Sequence, residues 1–154
     1  MEALTQQDFA ALLEFRTRLR RFLLWSEQHA KVAGLTARQH QLLLAIKGHS
    51  DQRGPTVGEL ADYLVLRHHS TVELVDRAEE AQLVARCRDK DDARVIRVRM
   101  RAYGEQTLTT LTRRHLVELR ELAPALDHLA AALKHLGEPG DQCATENLSP
   151  SDII

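Results

Sequence analysis

Apolar residues recur at steps of three and four along most of this chain, the spacing that gathers side chains on one face of an α-helix. Leu12, Phe15, Leu19, Phe22 and Leu23 predict a long amphipathic helix over residues 6–33, and Gly34 stops it because glycine readily takes the left-handed conformation that closes a helix. Thr36 with Gln39 makes a capping box, and the helix it starts runs through about Lys47 on a stripe of Leu42, Leu43 and Ile46. The polar, breaker-rich residues 48–55 form a loop. A second capping box, Thr56 with Glu59, opens a short helix whose apolar side is Leu60, Ala61 and Leu64. In the following helix Thr71, Leu74, Val75 and Ala78 share the core face. His69, Ser70, Glu73, Asp76 and Arg77 lie opposite, with Arg67 and His68 at the start.

The period then changes. Ile96, Val98 and Met100 alternate with Arg97, Arg99 and Arg101, which predicts a strand with one packed face and one cationic face. Residues 83–100 thus read as two strand-like runs around a polar turn at residues 89–93. Helical spacing returns with Leu108, Leu111, His115, Leu119 and Leu122, is interrupted by Pro124, and resumes with Leu126, Leu129, Leu133 and Leu136. Residues 137–154 are acidic and rich in breakers, so a disordered tail is expected there.

At 154 residues and 44% hydrophobic content, the chain is long enough for one domain with a real core and too short for two independent ones. Its 28% charged and 4% aromatic residues fit a soluble, largely helical protein. The net charge of -1 offers a polyanion nothing globally, yet residues 86–101 hold seven cations and three carboxylates, a local balance of +4. The N-terminus lacks the basic-then-apolar profile of a signal peptide, and no apolar run approaches the roughly 18 to 20 residues that span a bilayer, so a cytoplasmic protein without a membrane role is expected. Cys87 and Cys143 form neither a CxxC pair nor a disulfide framework and are read as free thiols in a reducing compartment. No HExxH, no Ser-His-Asp order and no glycine-rich phosphate loop is present, which argues against catalysis and against a cofactor.

A short helix, a tight turn and a second helix have the arrangement of a helix-turn-helix, although an ordinary helix pair fits that segment equally well. The basic hairpin favours nucleic acid. Arg16, Arg18, Arg20 and Arg21 on the first helix read as a solvated or dimer-facing run rather than a DNA contact.

The residues Leu60-Ala61, Ser70-Thr71-Val72, Leu74-Val75-Asp76-Arg77, Leu83-Val84 and Asp91-Asp92-Ala93-Arg94, with Gly104 beyond them, resemble the winged-helix regulators of the MarR family over roughly residues 8–136. The resemblance implies a mainly α fold with a small β-hairpin, a winged helix-turn-helix with N- and C-terminal dimerisation helices. Residues 1–136 would be a single domain, with a DNA-binding lobe at 36–101 and dimerisation helices at 6–33 and 102–136. It further implies a homodimeric repressor that binds double-stranded DNA at a pseudopalindromic operator and is released by a small aromatic or phenolic effector. Arg94 resembles the wing-tip arginine that enters the minor groove, and Asp92 the carboxylate that positions it; both residues also suit a simple pinning of the hairpin turn. Arg67, His68, His69, Ser70, Val72, Glu73 and Arg77 are the implied DNA contacts on the recognition helix, and Trp25, His29, His40 and His115 border the implied effector pocket.

Several positions depart from the family pattern. Val65 and Gln82 stand where glycine is common, Ala78 replaces a larger core residue, and Met100-Arg101 replaces Leu-Thr. Val72-Glu73 replaces a small polar residue followed by arginine. Glu73 either accepts a hydrogen bond from a cytosine amino group, with Val72 against a thymine methyl, or pairs with Arg77 at i+4; the pairing is the preferred reading, which moves base contact to His68, His69 and Ser70. His40 and His115 resemble two ligands of the zinc-responsive members, but Leu111 and Gln39 stand where further ligands are expected, so the histidines are read as ordinary side chains and no metal is assigned. The alternatives kept are a metal-responsive or Cys87 thiol-responsive regulator of the same fold, and a winged-helix module for protein contacts.

Overall fold

The computed structural model describes residues 4–135, so the expected tail at 137–154 and Leu136 lie outside the described residues. The order is α1 (Gln6–Val32), α2 (Ala37–Gly48), α3 (Val57–Leu64), α4 (His68–Glu80), β1 (Val84–Arg88), β2 (Ile96–Met100), α5 (Ala102–Leu119), a 3-10 turn (Arg120–Leu122) and α6 (Ala123–His135). The two strands form an antiparallel hairpin with Val84 opposite Met100, Arg86 opposite Val98 and Arg88 opposite Ile96.

Local chemistry explains where the helices begin. At α2 the Thr36 amide donates to Gln39 Oε1 (2.9 Å) and the Gln39 amide to Thr36 Oγ1 (3.1 Å); at α3 the Thr56 amide donates to Glu59 Oε2 (2.7 Å) and the Glu59 amide to Thr56 Oγ1 (3.2 Å). Thr5 and Asp8 build a third reciprocal cap at α1, with the Thr5 amide 2.7 Å from Asp8 Oδ2. Each cap satisfies two otherwise orphaned donors and fixes the register of the helix behind it. The break in the C-terminal helix is the 3-10 turn at Arg120–Leu122, and Pro124 sits beyond it in the first turn of α6, where a missing amide hydrogen leaves no bond unmade.

The core lies in the lobe made by α2, α3, α4 and the hairpin. Leu42, Leu43, Leu60, Val75, Leu83, Val84 and Val98 are wholly buried there, and Leu108 and Leu111 of α5 close it. α5 can lie that close because Gly104 faces the Leu83 carbonyl; a Cβ at residue 104 would fall inside van der Waals contact of that oxygen. On α1, by contrast, only Ala30 is buried. The expected stripe is only partly covered among the described residues: Phe15, Leu19 and Phe22 are half-buried, but Leu12 is 45% and Leu23 50% exposed, and Phe9, Leu13 and Leu24 are open as well. A helix burying its stripe within its own chain would not leave those residues in water. Of the arginine run, Arg18 is tied down, to Glu14 (3.1 Å) and to the Glu121 carbonyl (3.1 Å).

Two turns around α4 use left-handed non-glycine residues, Val65 (φ 52) and Gln82 (φ 61). Val65 ends α3, with its amide 3.2 Å from the Asp62 carbonyl, and its β-branched side chain is 89% exposed. The conformation costs an L-residue about 1–2 kcal/mol, partly offset by the unfolded-state entropy that valine saves relative to glycine. Val65→Gly is therefore expected to raise the unfolding free energy by about 0.5–1 kcal/mol in a urea titration. An unchanged or lower midpoint would contradict the strain.

Candidate nucleic-acid interface

The buried Thr71, Leu74, Val75 and Ala78 turn the other side of α4 to solvent. Arg67, His68, His69, Glu73 and Arg77 are exposed, while Ser70 and Val72 are half-buried at the edges. All seven predicted recognition-helix residues thus fall outside the core. The helix has no side-chain cap; Arg67 is its N-cap, and the Thr71 hydroxyl donates back to the Arg67 carbonyl (3.1 Å). The expected Glu73–Arg77 ion pair does not form, and Glu73 has neither an ion pair nor a hydrogen bond among the described residues. An exposed i,i+4 pair gains only a few tenths of a kcal/mol, too little to hold two long side chains out of water.

Arg86 is the residue that sequence reasoning missed on this face. From β1 its guanidinium reaches Asp76 (2.6 Å) and Glu79 (2.8 Å) on α4, and its amide donates to Glu79 Oε1 (2.9 Å). The Arg86 amide and guanidinium hold the Glu79 carboxyl below its ordinary value. Arg86 is therefore a strut between helix and hairpin rather than a free cation. Two carboxylates three apart on one helix edge, Asp76 and Glu79, were the available signal.

The hairpin is braced on its other face by carboxylates. Asp89, whose side chain is 3% exposed, accepts the amides of Asp91 (2.8 Å) and Asp92 (3.2 Å) on one oxygen, and Arg97 Nε with Arg53 Nη1 (3.3 Å) on the other. Arg97 also donates to the Gly54 carbonyl (2.8 Å) and lies 3.5 Å from Asp51. Gly54 permits this approach: with φ at +92, a Cβ there would press on the Val98 carbonyl. The Arg97 hydrogen bond first, then the Asp91 amide, depress the Asp89 carboxyl to about 2, and Arg53 holds Asp51 at about 2. The expected division of β2 into a packed and a cationic face is thus corrected. Arg97, 13% exposed, is drawn into the ion cluster under the loop at 51–55, and Ile96 is 38% exposed near the tip. Arg88, Lys90, Arg94, Arg99 and Arg101 are the exposed cations of the wing.

At the tip, Asp92 Oδ1 accepts the Arg94 amide (3.0 Å) and lies 3.3 Å from Arg94 Nε, and the Val95 amide closes the turn on the Asp92 carbonyl (2.9 Å). The Arg94 side chain is 93% exposed. Asp92 therefore pins the turn and also contacts the Arg94 guanidinium.

Trp25, His29, His40 and His115 come together where α1, α2 and α5 meet. Trp25 stacks on His29 (centroids 3.9 Å apart) and meets His115 edge-on (5.0 Å); His40 lies 4.7 Å from His115. His115 Nδ1 donates to the Leu111 carbonyl (2.7 Å) and Nε2 is hydrogen-bonded to the Ser26 hydroxyl (2.7 Å), so both ring nitrogens are used. Burial, and secondarily the neighbouring His115, hold His40 below its ordinary value of 6.5, which favours its neutral form. Phe22, 5.8 Å from His115, and Ser26 belong to this cluster and were not foreseen. Among the described residues no group of three or more His, Cys, Asp or Glu side chains is arranged to hold a metal ion.

Residues 33–95, the segment from the end of α1 to the wing tip, match the model of the MarR family. The match takes in α2, α3, α4, β1 and the wing tip. The chain is also 31% identical over 67 residues to an uncharacterized HTH-type transcriptional regulator, YsmB, of Bacillus subtilis; the match covers 44% of this chain and 46% of that protein, so the chain aligns with about half the length of that relative. A MarR family protein from Bacillus stearothermophilus has a similar fold (TM-score 0.67, 24% identity, 87% of this chain and 96% of that one). So has MepR of Staphylococcus aureus in a complex with DNA (TM-score 0.64, 18% identity, 87% of this chain and 97% of that one). The fold is therefore the MarR winged helix along nearly all the described residues. In that fold α4 stands in the place of the recognition helix, β1 and β2 form the wing, and α1, α5 and α6 are the flanking helices.

Proposed function

We propose that this chain is a sequence-specific DNA-binding transcriptional repressor that acts in the cytoplasm as a homodimer and is released by a small aromatic or phenolic effector. The observation that carries the reading is the presentation of Arg94 by Asp92 at the tip of a hairpin braced on both faces, beside an exposed recognition helix. The N-terminal half of α4, with Arg67, His68, His69 and Ser70, enters the major groove; Arg94 follows the adjacent minor groove, where narrow A-T-rich stretches concentrate negative potential. The MepR neighbour was captured with DNA, which supports the same use of this surface.

The exposed apolar side chains of the flanking helices support the dimer. Leu13 (67%), Leu24 (61%), Leu116 (60%), Val117 (62%) and Leu133 (58%) are open on α1, α5 and α6. Burying such residues against a second copy returns roughly 25 cal/mol per Å² of apolar surface. A two-fold dimer places two wings and two recognition helices on one side, which suits a pseudopalindrome. The cluster of Trp25, His29, His40 and His115 lies where the DNA lobe joins the flanking helices, so an aromatic ligand wedged there changes the spacing of the two lobes. No described helix is long and apolar enough to cross a membrane.

Binding of the purified full chain to DNA flanking its own gene, with candidate phenolic ligands and with zinc, tests the proposal. At physiological salt it should prefer that DNA over a scrambled duplex by about 10³-fold or more, release it on adding a phenolic ligand but not zinc, and sediment as a dimer. Equal affinity for scrambled DNA, or sedimentation as a 17.4 kDa monomer at micromolar concentration, would overturn it.

A further inference from the structure

The outward line of the recognition helix is acidic. At 100° per residue His69, Glu73, Asp76 and Glu80 lie opposite the buried face, and all four are exposed. Asp76 and Glu79, in the half of α4 beside the wing, share the Arg86 guanidinium. Glu73, in the half that leads into the groove, is left bare: neither His69 one turn before nor Arg77 one turn after bonds to it.

A bare carboxylate entering a groove walled by phosphates is unfavourable unless a hydrogen-bond donor meets it, because it is repelled by the backbone and loses its water. An ionised carboxylate accepts only. On the major-groove edge guanine presents N7 and O6, and thymine O4 and a methyl group; cytosine N4 and adenine N6 alone offer protons. Adenine sets the N7 lone pair beside its amino group, facing the carboxylate, whereas cytosine sets a C5–H there. We infer that Glu73 is a specificity-determining residue that requires a cytosine amino group at its position in each half-site and rejects guanine and thymine there. The inference rests on the recognition-helix reading above and names the base class that this helix selects.

Enrichment from a randomised duplex library, with the full-length wild type, Glu73→Gln and Glu73→Ala, tests it. An exposed, unpartnered side chain can be replaced without loss of fold, which circular dichroism checks. The wild type should select cytosine at one position in each half-site, by about 5- to 150-fold over guanine or thymine. Glu73→Gln should move that position to adenine, since an amide bonds N6 and N7 together. Glu73→Ala should flatten the preference there, leave the other positions alone, and bind scrambled DNA more tightly because a repelled charge has gone. A motif unchanged at every position in both variants would overturn the inference while leaving recognition by α4 in place. A wild type that enriches no motif would overturn both.

Discussion

Replacing Asp89 with alanine should loosen the wing and lower DNA affinity by an order of magnitude or more, with the dimer intact. One carboxylate there gathers the Asp91 and Asp92 amides, Arg97 and Arg53. Its loss leaves Arg97, 13% exposed, as a poorly solvated cation without its main partner, and frees the loop that carries the tip. Asp89→Asn should fall between, because an amide oxygen still receives the two backbone amides but the charge is gone. The pH dependence follows from the same contacts. The folded carboxyl sits at about 2 against an ordinary 3.8, so its stabilisation is whole above about 3.8 and is lost as pH falls from there towards 2. Asp51, also at about 2, acts in the same window and with the same sign. Hydrogen exchange at the Asp91 and Asp92 amides reads this directly: protection should disappear in Asp89→Ala, and in the wild type only below about 3.8. Protection unchanged in the variant would remove Asp89 as the wing's anchor.

Arg94→Ala should weaken operator binding by about 5- to 150-fold and lower the slope of log affinity against log salt by roughly one, because one cation leaves the nucleic-acid surface. The fold should be untouched, since the side chain is 93% exposed and its one carboxylate partner is the neighbouring Asp92. Arg94→Lys should rescue only part of the affinity; an ammonium keeps the charge but lacks the planar fork that Asp92 aims and that a narrow groove accepts. Asp92→Ala should cost less than Arg94→Ala, because the cation remains and only its direction is lost.

Much of this fold was legible along the chain because its signals are local. Thr36 with Gln39 and Thr56 with Glu59 announce two helix starts, and the buried Thr71, Leu74, Val75 and Ala78 follow from their spacing. The departures at Val65 and Gln82 fall on the two left-handed turns, so the residues that broke the family pattern mark places where the backbone is under constraint. The wing was less legible. Alternation along β2 assumes a hairpin with one covered side, whereas α4 covers one face through Arg86 and the loop at 51–55 covers the other through Arg97. Arg86 and Arg97 therefore counted as free cations while their charge is already used. The Phe22, Ser26 and His115 grouping was illegible for a different reason: Ser26 and His115 are 89 residues apart, and no local period joins them. The stripe on α1 was visible, but its period does not tell apart the residues that are half-buried, such as Phe15 and Leu19, from those that stay open, such as Leu12 and Leu23.

Hydroxyl-radical footprinting of the full-length protein on DNA flanking its own gene tests most directly whether paired wings and recognition helices read DNA. Two outer minor-groove patches should flank two major-groove contacts about 34–36 Å apart, symmetric about one dyad, and Arg94→Ala should erase the outer patches while the inner contacts persist. A single asymmetric patch, or outer patches that survive in Arg94→Ala, would contradict the assignment of the wing and of the dimer that carries it.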